Sequence, residues 1–256
     1  MSAWLYVVVP VYNEEENLPR LLSSIGSLEE RLAPELGVRL LLVDDGSSDG
    51  TAALARSHRA RPELRMLTHE TNQGPGAAFG SAFEYLHSVL SEGDWVATME
   101  GDNTSSIETL LHMLTRRKEG YDAVLASPYA YGGGFSQVQA HRLLLSHLAN
   151  GAVKVVFGIH GLHTFSSFFR IYSAQLLRKL QAEYGPRVLT TSGFECMVEL
   201  LAKMIRVEAR ISEVEQIVDW GKRRGLRKMR IGRTAAGYLH LFLRRGRLAV
   251  PVPYAR

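Results

Sequence analysis

The chain has 256 residues, 46% hydrophobic and 22% charged, with a formal net charge of +4 at neutral pH. That is ordinary for a globular protein and long enough for one large α/β domain, and no linker, internal repeat or low-complexity stretch argues for two. The single cysteine, Cys196, excludes an internal disulfide and suits a reducing compartment, while no uninterrupted run of about 18 apolar residues offers a spanning helix.

Leu5–Val9 is a short apolar strand, with no basic flank and no apolar segment of signal length ahead of it. It runs into Pro10-Val11-Tyr12-Asn13-Glu14-Glu15-Glu16, where Asn13 and Glu16 predict a capping box for a helix through about Ile25. Val38–Val43 is a second apolar run, too short for a helix and uniform enough for a strand covered on both faces in a parallel sheet. It ends abruptly in Asp44 and Asp45, and Asp49 then stands as an N-cap ahead of Thr51-Ala52-Ala53-Leu54-Ala55. A third apolar strand, Trp95–Met99, ends in Glu100-Gly101-Asp102-Asn103-Thr104. Open α/β sheets place their ligands at the carboxyl ends of such strands. Carboxylates cannot grip phosphate, so Asp44 and Asp45 suit hydrogen bonds from a base or sugar. Glu100 and Asp102, two residues apart with the same facing, suit a hard divalent cation carrying substrate phosphates. Taken singly, an acidic pair opens a turn as readily as it binds a ligand. Three strand ends in order, each with a polar cluster, make a combined signal.

In the second half, a helix from Arg142 through Phe157 would carry Arg142, Ser146, Asn150 and Lys154 as a narrow polar stripe, the rest of its surface being apolar. That broad apolar surface must meet the core, a partner or lipid. Ser192–Leu201 begins another helix, with Glu195 and Glu199 one turn apart on a shared face. Glu195 could reach an active site, and either glutamate also fits a solvated position. After Asp219 there is no acidic residue and eleven basic ones, so the preceding part carries nineteen basic against 26 acidic residues. A cationic tail on an acidic domain suggests a polyanionic partner. No nucleic-acid module accompanies it, so nucleic acid is not expected. Anionic lipid headgroups fit better, because Leu239, Leu241, Phe242, Leu243 and Leu248 interleave with the charges; a merely solvated basic end is the alternative. Among nine histidines, His160 and His163 lack a partner cluster for a metal. The absence of GxSxG, HExxH, CxxC and P-loop patterns argues against a serine hydrolase, a zinc enzyme and a P-loop NTPase.

Pro10-x-Tyr12-Asn13-Glu14, Val43-Asp44-Asp45-Gly46-Ser47-x-Asp49-Gly50-Thr51, Asn72-Gln73-Gly74-Pro75-Gly76-Ala77-Ala78 and Glu100-x-Asp102 together resemble the signatures of family 2 glycosyltransferases. The likeness runs from about Trp4 to about Met229 and is nearest to the polyprenyl-phosphate branch, of which dolichol-phosphate mannose synthase is the best-known member. It implies a GT-A-like, Rossmann-type α/β domain over 1–229, with a mostly parallel central sheet flanked by helices. Residues 230–256 then form an amphipathic basic C-terminal extension. The implied reaction moves a sugar from a UDP- or GDP-linked donor to a polyprenyl phosphate with inversion. Pro10, Tyr12, Glu14, Val43 and Asp45 would hold the nucleoside, with Tyr12 near the base. Glu100, Gly101 and Asp102 would meet the donor diphosphate, Glu100 and Asp102 holding Mg²⁺ or Mn²⁺ with Thr104 as a third contact. Arg142 stands where relatives direct an arginine at phosphate, and Lys228 is retained from a terminal Gly-x-Ser-Lys segment, so both are assigned to the acceptor phosphate. Pro128, Thr164, Phe168 and Arg227 depart from the branch pattern, as does Glu100 in place of the usual aspartate. No acidic pair follows the metal site, which favours a phosphate acceptor that needs no general base. Glu195 is the fallback base, so Asp102, Arg142 and Glu195 are the expected catalytic residues. Transfer to a hydroxyl of a lipid or glycan, or a non-catalytic relative that only binds nucleotide sugar, remain open. The expected location is cytoplasmic, peripheral to the membrane.

Overall fold

The structure, a computed structural model, describes residues 3–33, 35–59, 62–138, 140–224 and 231–243. In chain order the elements are β1 (Trp4–Val11), α1 (Leu18–Leu32), β2 (Gly37–Asp44), α2 (Thr51–Ser57), β3 (Glu63–Thr68), α3 (Pro75–Val89), β4 (Trp95–Thr98) and α4 (Ile107–Arg116). There follow β5 (Ala123–Ser127), β6 (Gly134–Ser136), α5 (Ala140–Phe157), β7 (Arg170–Ser173), α6 (Ala174–Tyr184), α7 (Cys196–Arg206), β8 (Ile211–Glu215), β9 (Ile217–Asp219) and α8 (Ile231–Leu243).

Seven strands form the main sheet in the order β3-β2-β1-β4-β7-β5-β8. All neighbouring pairs are parallel except those made by β7, which runs antiparallel to both β4 and β5. β6 and β9 pair separately as a small parallel ribbon. Because side chains alternate along a strand, the apolar run of β1 feeds two cores at once. Leu5, Val7 and Val9 pack with α1 and α4 on one face, and Tyr6 and Val8 pack with α3, α6 and α7 on the other. This is why β1 and β2 read as continuously apolar: both faces are covered. Each such fully buried side chain contributes about 1.5–3 kcal/mol, so a charge at Val8 would break the sheet at its centre.

The first helix departs from expectation. It starts at Leu18, not behind Asn13, and runs on to Leu32. Pro19 explains the shift, since its missing N–H and fixed φ suit a first helical turn. Asn13 instead adopts a left-handed φ of 53° in the loop, a conformation asparagine tolerates better than most residues. The N-cap of α2 is Gly50 and not Asp49, which sits one residue further out and accepts the Thr51 N–H on its Oδ1 at 3.0 Å. The helix expected from Ser192 starts at Cys196, with Glu195 at its N-cap. α8, part of the expected extension, joins the core: Leu241 is buried in the larger cluster, and Phe242 meets Phe157 of α5 edge-on with ring centroids 6.0 Å apart. No helix among the described residues is long and apolar enough to cross a membrane.

Candidate active site

Register aligns three strand ends at one edge of the sheet. Val11 pairs with Asp44, and Val8 pairs with Thr98. The loops leaving these ends are tied together by short polar side chains. The Asn13 N–H donates to Ser47 Oγ at 2.9 Å, Asn13 Oδ1 accepts the Ser48 N–H at 2.8 Å, and the Glu14 N–H donates to Thr51 Oγ1 at 2.8 Å. Asp44 closes the turn by accepting the Ser47 N–H at 3.0 Å. Gly46 has a φ of 75°, and a Cβ there would lie 2.6 Å from the Thr71 backbone, so only glycine lets the two loops approach.

Asp45 is 3% exposed and holds the loop between β3 and α3. Its Oδ1 accepts from His69 Nδ1 at 2.7 Å and the Gln73 N–H at 2.9 Å, and its Oδ2 accepts the Gly74 N–H at 2.8 Å. A carboxylate offers about four acceptor sites, so three donors leave room for one more, as a base N–H would require. His69 Nε2 lies 2.9 Å from Ser81 Oγ, which fixes the ring between α3 and Asp45. Sequence reasoning missed His69, because nothing local marks a histidine at the end of β3 as a partner of Asp45. Pro10 and Tyr12 are half-buried beside these loops. Val43 is wholly buried in the core, so its part is to hold the strand end in place.

β4 stops at Thr98, one residue earlier than expected, and Glu100 to Asp102 form a turn. A Cβ at Gly101 would lie 3.1 Å from Val11 and 3.2 Å from the Pro10 carbonyl, so this turn sits tightly against the end of β1. Burial and then the charge of Asp102 push the Glu100 carboxyl up to about 7, with hydrogen bonds from Ser105 and the Phe168 backbone offsetting part of the effect. Thr104 gives both its N–H, at 3.2 Å, and its hydroxyl, at 2.6 Å, to Asp102 Oδ1, which makes it a support for Asp102. Arg223 Nη1 lies 3.7 Å from Asp102 Oδ2. No cluster of three or more histidine, cysteine or acidic side chains is present among the described residues. The donor set nevertheless fits Mg²⁺ or Mn²⁺: such ions take one or two carboxylates and complete their shell with phosphate oxygens and water. A dication would also relieve the repulsion recorded in the raised Glu100 value.

The segment before α7, with α5 and α7 themselves, is built differently. α3 begins at Pro75, where the Gly76 N–H donates to the Ser192 carbonyl at 2.8 Å and joins the donor loops to the segment before α7. Glu199 accepts from Thr190 and Thr191 through both backbone and hydroxyl, and Lys203 Nζ reaches it at 2.6 Å. Burial raises the Glu199 carboxyl, but Lys203 and the threonine hydroxyls outweigh it and hold the group below its ordinary value. Glu199 is therefore a structural anchor. Glu195 is 6% exposed, its Oε2 is buried without a hydrogen-bond partner among the described residues, and a Cβ at Gly237 of α8 would come within 2.5 Å of that oxygen. The polar stripe of α5 faces inward at Ser146, whose hydroxyl lies 2.6 Å from the Tyr129 hydroxyl. Arg142 lies one turn earlier in α5, its side chain outside the described part, and Lys228 is outside the described residues.

Residues 6–181 match the family described as Glycosyl transferase family 2. The polyprenol monophosphomannose synthase of Mycolicibacterium smegmatis is 33% identical over 180 residues, covering 68% of this chain and 63% of that protein. The undecaprenyl-phosphate 4-deoxy-4-formamido-L-arabinose transferase of Pseudomonas aeruginosa is 33% identical over 180 residues, covering 69% of this chain and 49% of that one. The chain thus spans less than two thirds of the length of these relatives. Glucosyl-3-phosphoglycerate synthase from Mycobacterium tuberculosis, crystallised with Mn²⁺, UDP and glucosyl-3-phosphoglycerate, shares the fold with a TM-score of 0.63 at 19% identity, over 98% of this chain and 81% of that one. With a match over most of its length, strand-end motifs in family order and a mostly parallel GT-A-like sheet, the chain belongs to glycosyl transferase family 2.

Proposed function

We propose that the chain transfers a sugar from a nucleoside diphosphate sugar to a polyprenyl phosphate, with inversion at the anomeric carbon. The observation that carries this reading is the Glu100–Asp102 turn, a half-buried and mutually repelling carboxylate pair packed against the end of β1. The names of the relatives, polyprenol and undecaprenyl-phosphate enzymes, support the acceptor class. Residues 1–229 would form the catalytic unit.

Glu100 and Asp102 would hold Mg²⁺ or Mn²⁺, with Gly101 letting their turn lie against β1 and Thr104 keeping Asp102 aimed. When bound, the cation would neutralise charge on the departing nucleoside diphosphate. Tyr12, Glu14 and Asp45 would frame the nucleoside, on a floor set by Pro10 and Val43. Arg142 and Lys228 would receive the acceptor phosphate. One of its oxygens forms the new bond to the anomeric carbon as the bond to the donor's β-phosphate oxygen breaks, and the nucleoside diphosphate leaves with that electron pair. The acceptor is already an anion at neutral pH, so no side chain has to take a proton. The burial of Glu195 beneath α8 supports a phosphate acceptor over a hydroxyl, because a base for a hydroxyl needs access to it.

A prenyl acceptor lives in a bilayer, so the enzyme would work peripherally at a membrane surface, on its cytoplasmic side. Exposed Leu148 and Val155 on α5, and exposed Leu239 and Leu243 on α8, which Arg244, Arg245 and Arg247 follow in the sequence, support that placement. The test is transfer of labelled sugar from UDP- and GDP-sugars to undecaprenyl or dolichyl phosphate in detergent. Labelled lipid should form with Mn²⁺ and not with EDTA or after Asp102→Asn. Transfer only to hydroxyl acceptors, or donor binding with no transfer, would refute the reading.

A further inference from the structure

We propose that Arg223 senses the donor: it neutralises Asp102 while the donor site is empty, and its side chain swings to the diphosphate when nucleotide and cation arrive, while the backbone of the strap Lys222–Arg224 stays in place. The proposal deepens the donor-site reading above and rests on it. The strap's backbone is firmly held. Asn17 Oδ1 accepts the Arg224 N–H at 3.2 Å, Asn17 Nδ2 donates to the Arg224 carbonyl at 3.0 Å, and the Arg20 guanidinium donates to the Lys222 carbonyl.

Asn17 is also a junction. Its Nδ2 donates to Glu14 Oε2 at 2.6 Å, and its carbonyl accepts from Asn103 Nδ2 at 3.0 Å. Glu14 belongs to the first donor loop, and Asn103, at a left-handed φ of 64°, follows Asp102 in the cation turn. The strap therefore touches both halves of the donor site through one residue, whose side chain meets Glu14 and Arg224 and whose backbone carbonyl meets Asn103. Upstream, Asp219 accepts the Gly221 N–H at 3.0 Å and holds the single turn Trp220–Lys222 that carries the chain to this position.

The side chain of Arg223 is held far less firmly than its backbone. At 3.7 Å from Asp102 Oδ2 it makes a charge pair without a hydrogen bond, and both side chains keep some solvent access. A divalent ion concentrates more charge and would displace the guanidinium from Asp102. The same ion brings diphosphate oxygens beside it, and a guanidinium fork fits phosphate oxygens. Arg223 should then oppose the cation in the empty site and favour it in the filled one, which is a coupling between cation and nucleotide.

The experiment compares wild type, Arg223→Gln and Arg223→Lys in two measurements: Mn²⁺ binding alone by electron paramagnetic resonance, and UDP and GDP binding with Mn²⁺ by calorimetry. Arg223→Gln should bind Mn²⁺ alone roughly twofold to fivefold more tightly, the range of an exposed ion pair. It should bind the nucleoside diphosphate with Mn²⁺ roughly tenfold more weakly, the effect of one lost charge-assisted contact. Arg223→Lys should recover part of both. Affinities that both stay at the wild-type value, or both shift in the same direction, would overturn the proposal while leaving the donor site standing. Failure of the wild type to bind either nucleotide would overturn both.

Discussion

Replacing Glu100 by Gln should stabilise the cation-free protein, and only toward alkaline pH. Burial and the neighbouring Asp102 raise this carboxyl from 4.5 to about 7 on folding. The folded value lies above the unfolded one, so the stability linked to the group is fully present below pH 4.5 and is lost as pH rises through about 7. At 1.36 kcal/mol per pH unit that window amounts to about 3 kcal/mol. The amide has the same shape and does not titrate. Wild type and Glu100→Gln should therefore differ little at about pH 5, and the variant should lead by about 3 kcal/mol at about pH 8. For a chain of this size that corresponds to roughly 6–12 °C in Tm. Urea unfolding followed by circular dichroism, in EDTA at four pH values, measures the gap directly. Adding Mn²⁺ at about pH 8 should reverse the order, since only the wild type keeps both carboxylates to bind it. A gap that does not change with pH, or that widens toward acid, would refute the account of Glu100.

Arg142→Ala should raise the acceptor KM or lower kcat roughly tenfold to a hundredfold while leaving donor binding unchanged; steady-state kinetics that show donor and acceptor affected alike would remove Arg142 from the acceptor site. Lys203→Met should cost about 3–5 kcal/mol in chemical denaturation, because it strands Glu199 inside the protein, and the double variant with Glu199→Gln should recover much of the loss. If the single and double variants are equally destabilised, charge is not the cause. Co-sedimentation with liposomes should require anionic lipid, weaken with salt and drop after removal of 244–256, a truncation that leaves α8 in the core. Equal binding to neutral vesicles would point to apolar contact alone.

Three strands, β1, β2 and β4, were legible because their apolar runs end in polar clusters, a pattern that both-face burial imposes on sequence, whereas β3 and β8 alternate polar and apolar residues and, like β5 and β7, were not read. Asp44, Asp45, Glu100 and Asp102 could be placed at one sheet edge for the same reason. The start of α1 was not, since an Asn-x-x-Glu spacing outweighed Pro19 in the reading, and only the contacts of Asn13 with Ser47 and Ser48 show what that asparagine does. Thr104 was read as a cation contact, although its hydroxyl points at its own neighbour, Asp102. Glu195 and Glu199 share a helical spacing, yet one is an anchor and the other is sealed under α8. That difference is set by Lys203 and Gly237, and spacing does not report it. His69, Asn17 and Arg223 were invisible for a related reason: each acts on a residue far away in the chain.

The antiparallel β7 has a further consequence. It enters the sheet beside β5, and the Ala126 N–H donates to the Phe169 carbonyl at 3.0 Å, so the stretch from 127 to 169 leaves and rejoins the sheet at neighbouring points on one edge. A segment whose ends are already held together can change length or sequence at small entropic cost to the rest of the fold. In this chain that segment contains α5, Tyr129 and Arg142, the proposed acceptor side, whereas the proposed donor loops follow β1, β2 and β4. Under the proposed function the two specificities would be carried by separable pieces of one domain. Val153 and Phe157 of α5, and Ile159, Leu162, Phe165 and Phe168 after it, are buried in the core, so a transplanted acceptor module would have to keep these anchors.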